Sequence, residues 1–339
     1  VNSENIGSIL VVRQHDQLGD MLCVIPLLRA LHEHFPSAAV TLVASPVNYA
    51  IMLHNPFVTE VLNYDKSRLF PAIGNILSFY RSLAAGKHDL AIVPATVSIS
   101  TTSNILAFLS GAQRRIGPIK LAGRTNSTAF CFTETVDLDW NDFPREHQTL
   151  RNLRMLQPLG ISTRDLTCPL GFTSHEIGTA RARLQKLKSS HKLLFGIHPG
   201  AGKTQNRWPA EKFAEAANRI AKQHDGAVIV TAGPMDEEPL ARLVPHLDCE
   251  SMIVRNEPIR TVASLINEMD LFITNDTGVM HVAGGTAAQT LSLFGPTDPL
   301  QWAPVGGKNR FIAARDGKID SLSVGEVLDI VFLILQDRK

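Results

Sequence analysis

The chain has 339 residues, a mean hydropathy of +0.03, and 33 basic against 32 acidic side chains. A nucleic-acid binder carries a clear basic excess, so a net charge of +1 argues against that class. The length favours two domains, each with its own core, and no apolar run approaches the ~20 residues of a membrane span.

In chain order, the polar opening Val1–Asn5 has no secretory n-region or h-region and leads into a strand, which points to a cytoplasmic protein. Apolar runs at Ile9–Val12, Val40–Ala44 and Leu90–Pro94 predict strands. A helix between the first two shows one apolar face through Leu27, Leu28, Leu31 and Phe35. Residues 96–135, rich in Ser, Thr, Gly and Arg, predict a helix followed by irregular loops. A charged helix over about His175–Lys188 opens the second half, with strands expected at Leu193–Ile197, Val228–Ala232, Leu271–Thr274 and Thr290–Phe294. The helix after Trp208-Pro209 buries Phe213, Ala217, Ile220 and Ala221, with proline at a tolerated first-turn position. A last apolar helix covers Ser323–Leu335. Alternation of strands with helices predicts an α/β protein with parallel sheets.

The most informative stretch is Thr274-Asn275-Asp276-Thr277-Gly278-Val279-Met280-His281, followed by Gly295-Pro296-Thr297-Asp298-Pro299. A strand feeds a helix of small residues, expected from Val279 to about Ala287, and its start offers free N–H groups to a diphosphate. The next strand ends in a turn on the same edge, where open α/β sheets bind ligands.

These residues carry a resemblance, with others in a fixed order. The others are Leu18-Gly19-Asp20 with Pro26, Arg114-Arg115-Ile116-Gly117, His147 with Arg151-Asn152-Leu153, His198-Pro199-Gly200-Ala201 with Trp208-Pro209, and Trp302-Ala303-Pro304. The chain resembles the ADP-heptose:lipopolysaccharide heptosyltransferases, glycosyltransferase family nine. The resemblance implies the GT-B architecture, two Rossmann-like α/β domains facing across a cleft. An acceptor domain is expected over 1–170 and a nucleotide-sugar domain over 171–320. A C-terminal helix at 321–339 should pack back at the domain junction.

Asp20 has two readings: a carboxylate that meets the dipole of its own helix, or a general base for an acceptor hydroxyl. The resemblance points to the base. Asp276 either N-caps its helix or sits beside the donor sugar, and the resemblance favours the donor. Thr277 and Gly278 supply N–H groups to the diphosphate, and His281 lies one turn further along. The loop ending in Gly202-Lys203-Thr204 mimics a P-loop, but the required earlier glycine position holds Ile197. Family members commonly place a lysine two residues before the Trp-Pro step, whereas this chain has Asn206. Lys203 and Arg207 are the candidate replacements. Glu237 either binds ribose hydroxyls or belongs to a solvated helix start. Arg114, Arg115, Lys120 and Arg124, with Lys66 and Arg68 beside them, are candidates for an acidic or phosphorylated acceptor.

Asp137-Leu138-Asp139 resembles a metal-binding DxD, but the alternation around it fits an exposed strand face. No metal and no cofactor are assigned, the ADP-sugar being a co-substrate. The four cysteines, Cys23, Cys131, Cys168 and Cys249, lack zinc spacing and predict reduced thiols. The expected partners are a nucleotide-sugar donor and a glycolipid or oligosaccharide acceptor, with peripheral contact at the inner membrane leaflet and no nucleic acid. Two rivals stay open. One is a sugar-nucleotide epimerase of similar fold, and the other a nucleotide-sugar binding protein without catalysis. A dehydrogenase is disfavoured, since no GxGxxG follows the first strand.

Overall fold

In a computed structural model, residues 6–14, 17–69, 71, 73–141 and 143–336 are described; the polar opening at 1–5 lies outside them. The chain divides into two compact units, 1–171 and 172–339.

The first unit holds β1 (Ser8–Arg13), β2 (Ala39–Ala44), β3 (Glu60–Asn63), β4 (Leu90–Ile92), β5 (Arg114–Leu121), β6 (Arg124–Thr125) and β7 (Glu134–Leu138). Their order is β3-β2-β1-β4-β5-β6, with β7 also on β5; only the β5–β6 pairing is antiparallel among the described strands. β1 and β4 are buried on both faces, which is why they read as continuous apolar runs. Helix Ile25–His34 turns Leu27, Leu28 and Leu31 inward. On one sheet face, Leu10, Val12, Ala91 and Val93 pack against Phe79, Leu83, Leu106 and Ala107. Those four come from helices Ile73–Ala85 and Thr101–Leu109.

The structure corrects the expectation of irregular loops after the helix within 96–135. Arg114 to Leu121 is a strand paired with both β4 and β7. Gly117 and Pro118 hide it in the sequence, and each has a structural reason. A Cβ on Gly117 would lie 2.0 Å from the Phe132 ring, and the register shifts just after Pro118.

The second unit holds β8 (Leu193–His198), β9 (Gly226–Ala232), β10 (Ser251–Arg255), β11 (Leu271–Asn275), β12 (Gln289–Phe294) and β13 (Asn309–Ala313). Their order is β10-β9-β8-β11-β12-β13, parallel throughout, the doubly wound order of a Rossmann domain. Helix Ala210–His224 buries Phe213, Ala217 and Ile220 as expected, and helix Val324–Gln336 joins the same core through Val327, Leu328 and Val331. Helix Gly278–Gly284 is shorter than the sequence suggests, because Gly284 and Gly285 end it.

Helix Ser174–Ser190 starts with a reciprocal capping box between Thr173 and Glu176. Glu176 also takes a two-pronged ion pair from Arg260, whose guanidinium holds the carboxyl down to about 2. Its folded-state pKa is therefore depressed, so this stabilisation is complete above the ordinary glutamate range. It is lost as pH falls from about 4.5 to about 2. Acid titration of the unfolding free energy should show a shallower acid limb in Glu176→Gln than in wild type.

Candidate active site

In the first unit the strand order reverses between β1 and β4, and the chain places its charged groups there. Arg13 ends β1 and is 1% exposed; Asp20 sits on the short helix Leu18–Leu22 and is 4% exposed. Arg13 Nη2 lies 3.5 Å from Asp20 Oδ1. The same guanidinium donates to Pro94 O at 2.8 Å and to Thr96 Oγ1 at 3.3 Å, both just past β4. Burial pulls the arginine pKa down, and the Asp20 charge opposes that. Asp20 Oδ1 accepts no hydrogen bond among the described residues. The aspartate is thus held by a neighbouring charge, its Oδ1 buried against the Arg13 guanidinium. Arg13 was missed in the sequence, where it reads as a polar end to a strand.

Other landmarks of the first unit carry structure. His147 caps helix Gln148–Leu153 by accepting from Thr149 N–H at 3.2 Å. The Arg151 guanidinium lies 4.9 Å from the Trp140 ring centre, and Asn152 donates to Cys23 O at 3.0 Å. Arg114 and Arg115 begin β5 rather than a loop. Arg114 pairs with Glu134 at 2.8 and 3.0 Å, and Arg115 donates to Cys131 O and Ala112 O. Lys120, near the end of β5, and Arg124 on β6 are exposed. Asp137 and Asp139 are exposed on alternate positions of β7 and its extension.

In the second unit the order reverses between β8 and β11. The loop after β8, His198 to Ala201, therefore adjoins the turn after β11, Asn275 to Thr277. Asn275 ties them together. Its Oδ1 accepts from Trp208 N–H at 2.9 Å, while its Nδ2 donates to Pro199 O at 2.9 Å and Gly200 O at 3.2 Å. It is fully buried. Asn275→Ala strands three buried backbone groups and should lower unfolding free energy by about 2–4 kcal/mol in a urea titration. Spacing could not reveal this residue, because its partners lie 67 to 76 positions away.

Asp276 follows, half-buried, and burial pushes its carboxyl up while a Thr297 hydrogen bond and the Lys203 charge oppose. Asn206 occupies the departed lysine position and donates to Asp276 Oδ2 at 2.9 Å. Asn206 is 6% exposed, so it orients the aspartate from inside the fold. Arg207 is committed elsewhere: it donates to Ala201 O at 2.9 Å and lies 3.3 Å from Glu238. Lys203 stays exposed at the loop's end and close enough to act on the Asp276 charge. Thr277 precedes helix Gly278–Gly284, and its hydroxyl makes no cap hydrogen bond. His281 is buried on that helix, edge-on to Trp302 with ring centres 6.2 Å apart.

At the end of β9 the carboxylate that turns inward is Asp236, not Glu237. Asp236 accepts from Gly233 N–H at 2.8 Å and lies 3.6 Å from His198 Nε2. His198 Nδ1 meets Thr231 O at 2.9 Å, and burial lowers the imidazole pKa against the pull of Asp236. A Cβ on Gly200 would fall 2.0 Å from Asp236 Oδ1, so this position requires glycine. Glu237 is exposed and paired with Arg255. Among the described residues no group of three or more His, Cys, Asp or Glu could hold a metal ion. None of the four cysteines forms a disulfide.

Two Rossmann-like domains in one chain, each with polar residues gathered where its strand order reverses, make up the GT-B fold. The model of glycosyltransferase family 9 (heptosyltransferase) matches residues 76–328. The lipooligosaccharide heptosyltransferase 2 of Campylobacter jejuni is 30% identical over 309 residues, 88% of this chain and 84% of that protein. A family 9 glycosyl transferase from Veillonella parvula superposes with a TM-score of 0.83 at 22% identity, covering 98% of each chain. The E. coli ADP-heptose lps heptosyltransferase II gives a TM-score of 0.80 at 21% identity, covering 98% of this chain and all of that one. The chain belongs to glycosyltransferase family 9, the heptosyltransferases.

Proposed function

We propose that this enzyme is an inverting transferase that moves heptose from ADP-heptose to a lipopolysaccharide-core acceptor at the cytoplasmic face of the inner membrane. The observation that carries the reading is the second unit's switch point, where Asn275 locks the 198–201 loop beside Asp276 and Thr277. The reading is supported by relatives named lipooligosaccharide heptosyltransferase 2 and lipopolysaccharide heptosyltransferase 3.

In this mechanism Asp20 takes the proton of the acceptor hydroxyl, and the oxygen attacks the anomeric carbon on the face opposite the diphosphate. Negative charge then builds on the departing ADP. Lys203 and the backbone N–H groups of Thr277 and Gly278 meet it, with His281 on the following turn. Asp276, positioned by Asn206 and Thr297, accepts from sugar hydroxyls. Arg207 shapes the loop through Ala201 O. Glu237 keeps lone pairs beyond its Arg255 pair and can accept from ribose hydroxyls. Lys120 and Arg124 are exposed for an anionic acceptor, with Arg114 and Arg115 behind them. Charge neutralisation by protein groups requires no metal and no cofactor.

A thermal-shift panel with ADP, UDP, GDP, NAD and ADP-heptose tests the donor. A ligand at ~100 times its dissociation constant adds ~2.7 kcal/mol, so ADP and ADP-heptose should raise the melting temperature while UDP and GDP leave it unchanged. Selectivity for UDP or GDP would discard ADP-heptose as donor. ADP binding without any transfer would favour the binding-protein reading instead.

A further inference from the structure

We propose that the first unit docks on an anionic phospholipid surface through the outer faces of helices Ile73–Ala85 and Thr101–Leu109 and the adjoining turn at Phe130. Both helices bury their inner faces against the same side of the sheet. Their outer faces should then be polar, as on an ordinary surface helix. They are not. Ile73 is 77% exposed, Phe130 72%, and Leu77, Ile105, Phe108 and Leu109 are between 40% and 48%. The turn Ala129–Cys131 is tied to the second helix by Arg115, which donates to Cys131 O and lies 5.6 Å from the Phe108 ring centre. Several large apolar side chains exposed on neighbouring elements mark an interaction surface.

Charge identifies the occupant. From Asp65 to Glu134 the chain has eight basic side chains and three acids, so this segment carries +5 in a chain whose net charge is +1, with Asp65 paired to Arg68 and Glu134 to Arg114. Asp89 is spent inside the fold, accepting from Gly7 and Ser8 N–H at 2.8 and 3.0 Å. Arg81 continues the exposed stripe of Ile73 and Leu77 at four-residue spacing, and Arg115 lies over Phe108. Apolar side chains interleaved with arginines suit the boundary between headgroups and acyl chains, where long basic side chains reach the phosphates. A second copy of this chain docking face to face would set two basic segments against each other, which disfavours a dimer through this patch. No helix among the described residues is long and apolar enough to cross a membrane, so the contact lies in the interface plane.

This inference takes from the proposed function only that the acceptor is anchored in a membrane. Its test is co-sedimentation of the full chain with vesicles of phosphatidylethanolamine and phosphatidylglycerol, and with phosphatidylcholine alone. Binding should favour the anionic vesicles and weaken at least about ten-fold between about 0.1 M and about 1 M salt, as the Debye length shortens from about 10 to about 3 Å. Arg81→Glu should lower the partition coefficient about thirty-fold, the sum of a lost attraction and a new repulsion. Leu77→Ser and Phe130→Ser should each lower it about ten-fold. These side chains are exposed, so melting temperature and the shift produced by ADP should match wild type, which separates this test from that of the donor site. Equal binding to both vesicle types, no binding to either, or partitioning unchanged in all three variants would overturn the proposal. So would a wild-type dimer in analytical ultracentrifugation that Phe130→Ser converts to monomer.

Discussion

Asp20→Asn should lower kcat by about 10²–10⁴-fold, the usual contribution of a positioned general base, and leave ADP binding unchanged. The substitution keeps the shape of the side chain and removes its charge. Because Arg13 is buried against that charge, the variant should also lose about 3–5 kcal/mol of stability, the cost of leaving a buried ion without its partner. The two effects separate by measurement. Transfer is assayed well below the variant's melting temperature, and the ADP-induced thermal shift reports on the second unit. If the folded variant binds ADP and transfers sugar at a rate near wild type, Asp20 is a structural counter-ion for Arg13 and the base lies elsewhere.

That pairing shows where the sequence is readable. β1, β2, β4, β8, β9, β11 and β12 stand out as apolar runs because they are buried in parallel sheets between helices. β3, β10 and β13 do not stand out. They sit at sheet edges, where Ser251, Ile253, Arg255 and Phe311 face solvent and the apolar signal dilutes. β5 is masked by Gly117 and Pro118, which its packing against Phe132 and its register shift explain. The motif residues Asp20, Asp276 and Thr277 were legible because Leu18-Gly19-Asp20 and Asn275-Asp276-Thr277-Gly278 follow apolar strands and carry the family resemblance. Arg13, Asn275 and Asp236 were not. Each acts through partners brought near by the sheet order, and a polar residue at the end of a strand has no local pattern to mark it. The choice between Lys203 and Arg207 belongs to the same category, since both are basic and both lie in one loop.

The geometry makes that choice testable. Lys203→Ala should weaken ADP binding about ten- to hundred-fold, the loss expected when a charged hydrogen bond of about 1.5–3 kcal/mol is removed. Arg207→Ala should change ADP affinity far less. Its guanidinium already serves Ala201 O and Glu238, and its removal acts through the loop rather than on the phosphate. Asn206→Lys then asks whether the two lysine positions are interchangeable. In the Lys203→Ala background it should recover most of the lost affinity, because an ammonium at 206 would stand beside Asp276, where Asn206 now donates. Placed in wild type, the same substitution should gain little if Lys203 meets the diphosphate as proposed, because a second cation must be desolvated beside it. Isothermal titration of ADP into the four variants measures all of this. If Arg207→Ala produces the large loss and Lys203→Ala does not, the cation reaches the diphosphate by giving up its Glu238 pair, and the loop must rearrange when the donor binds.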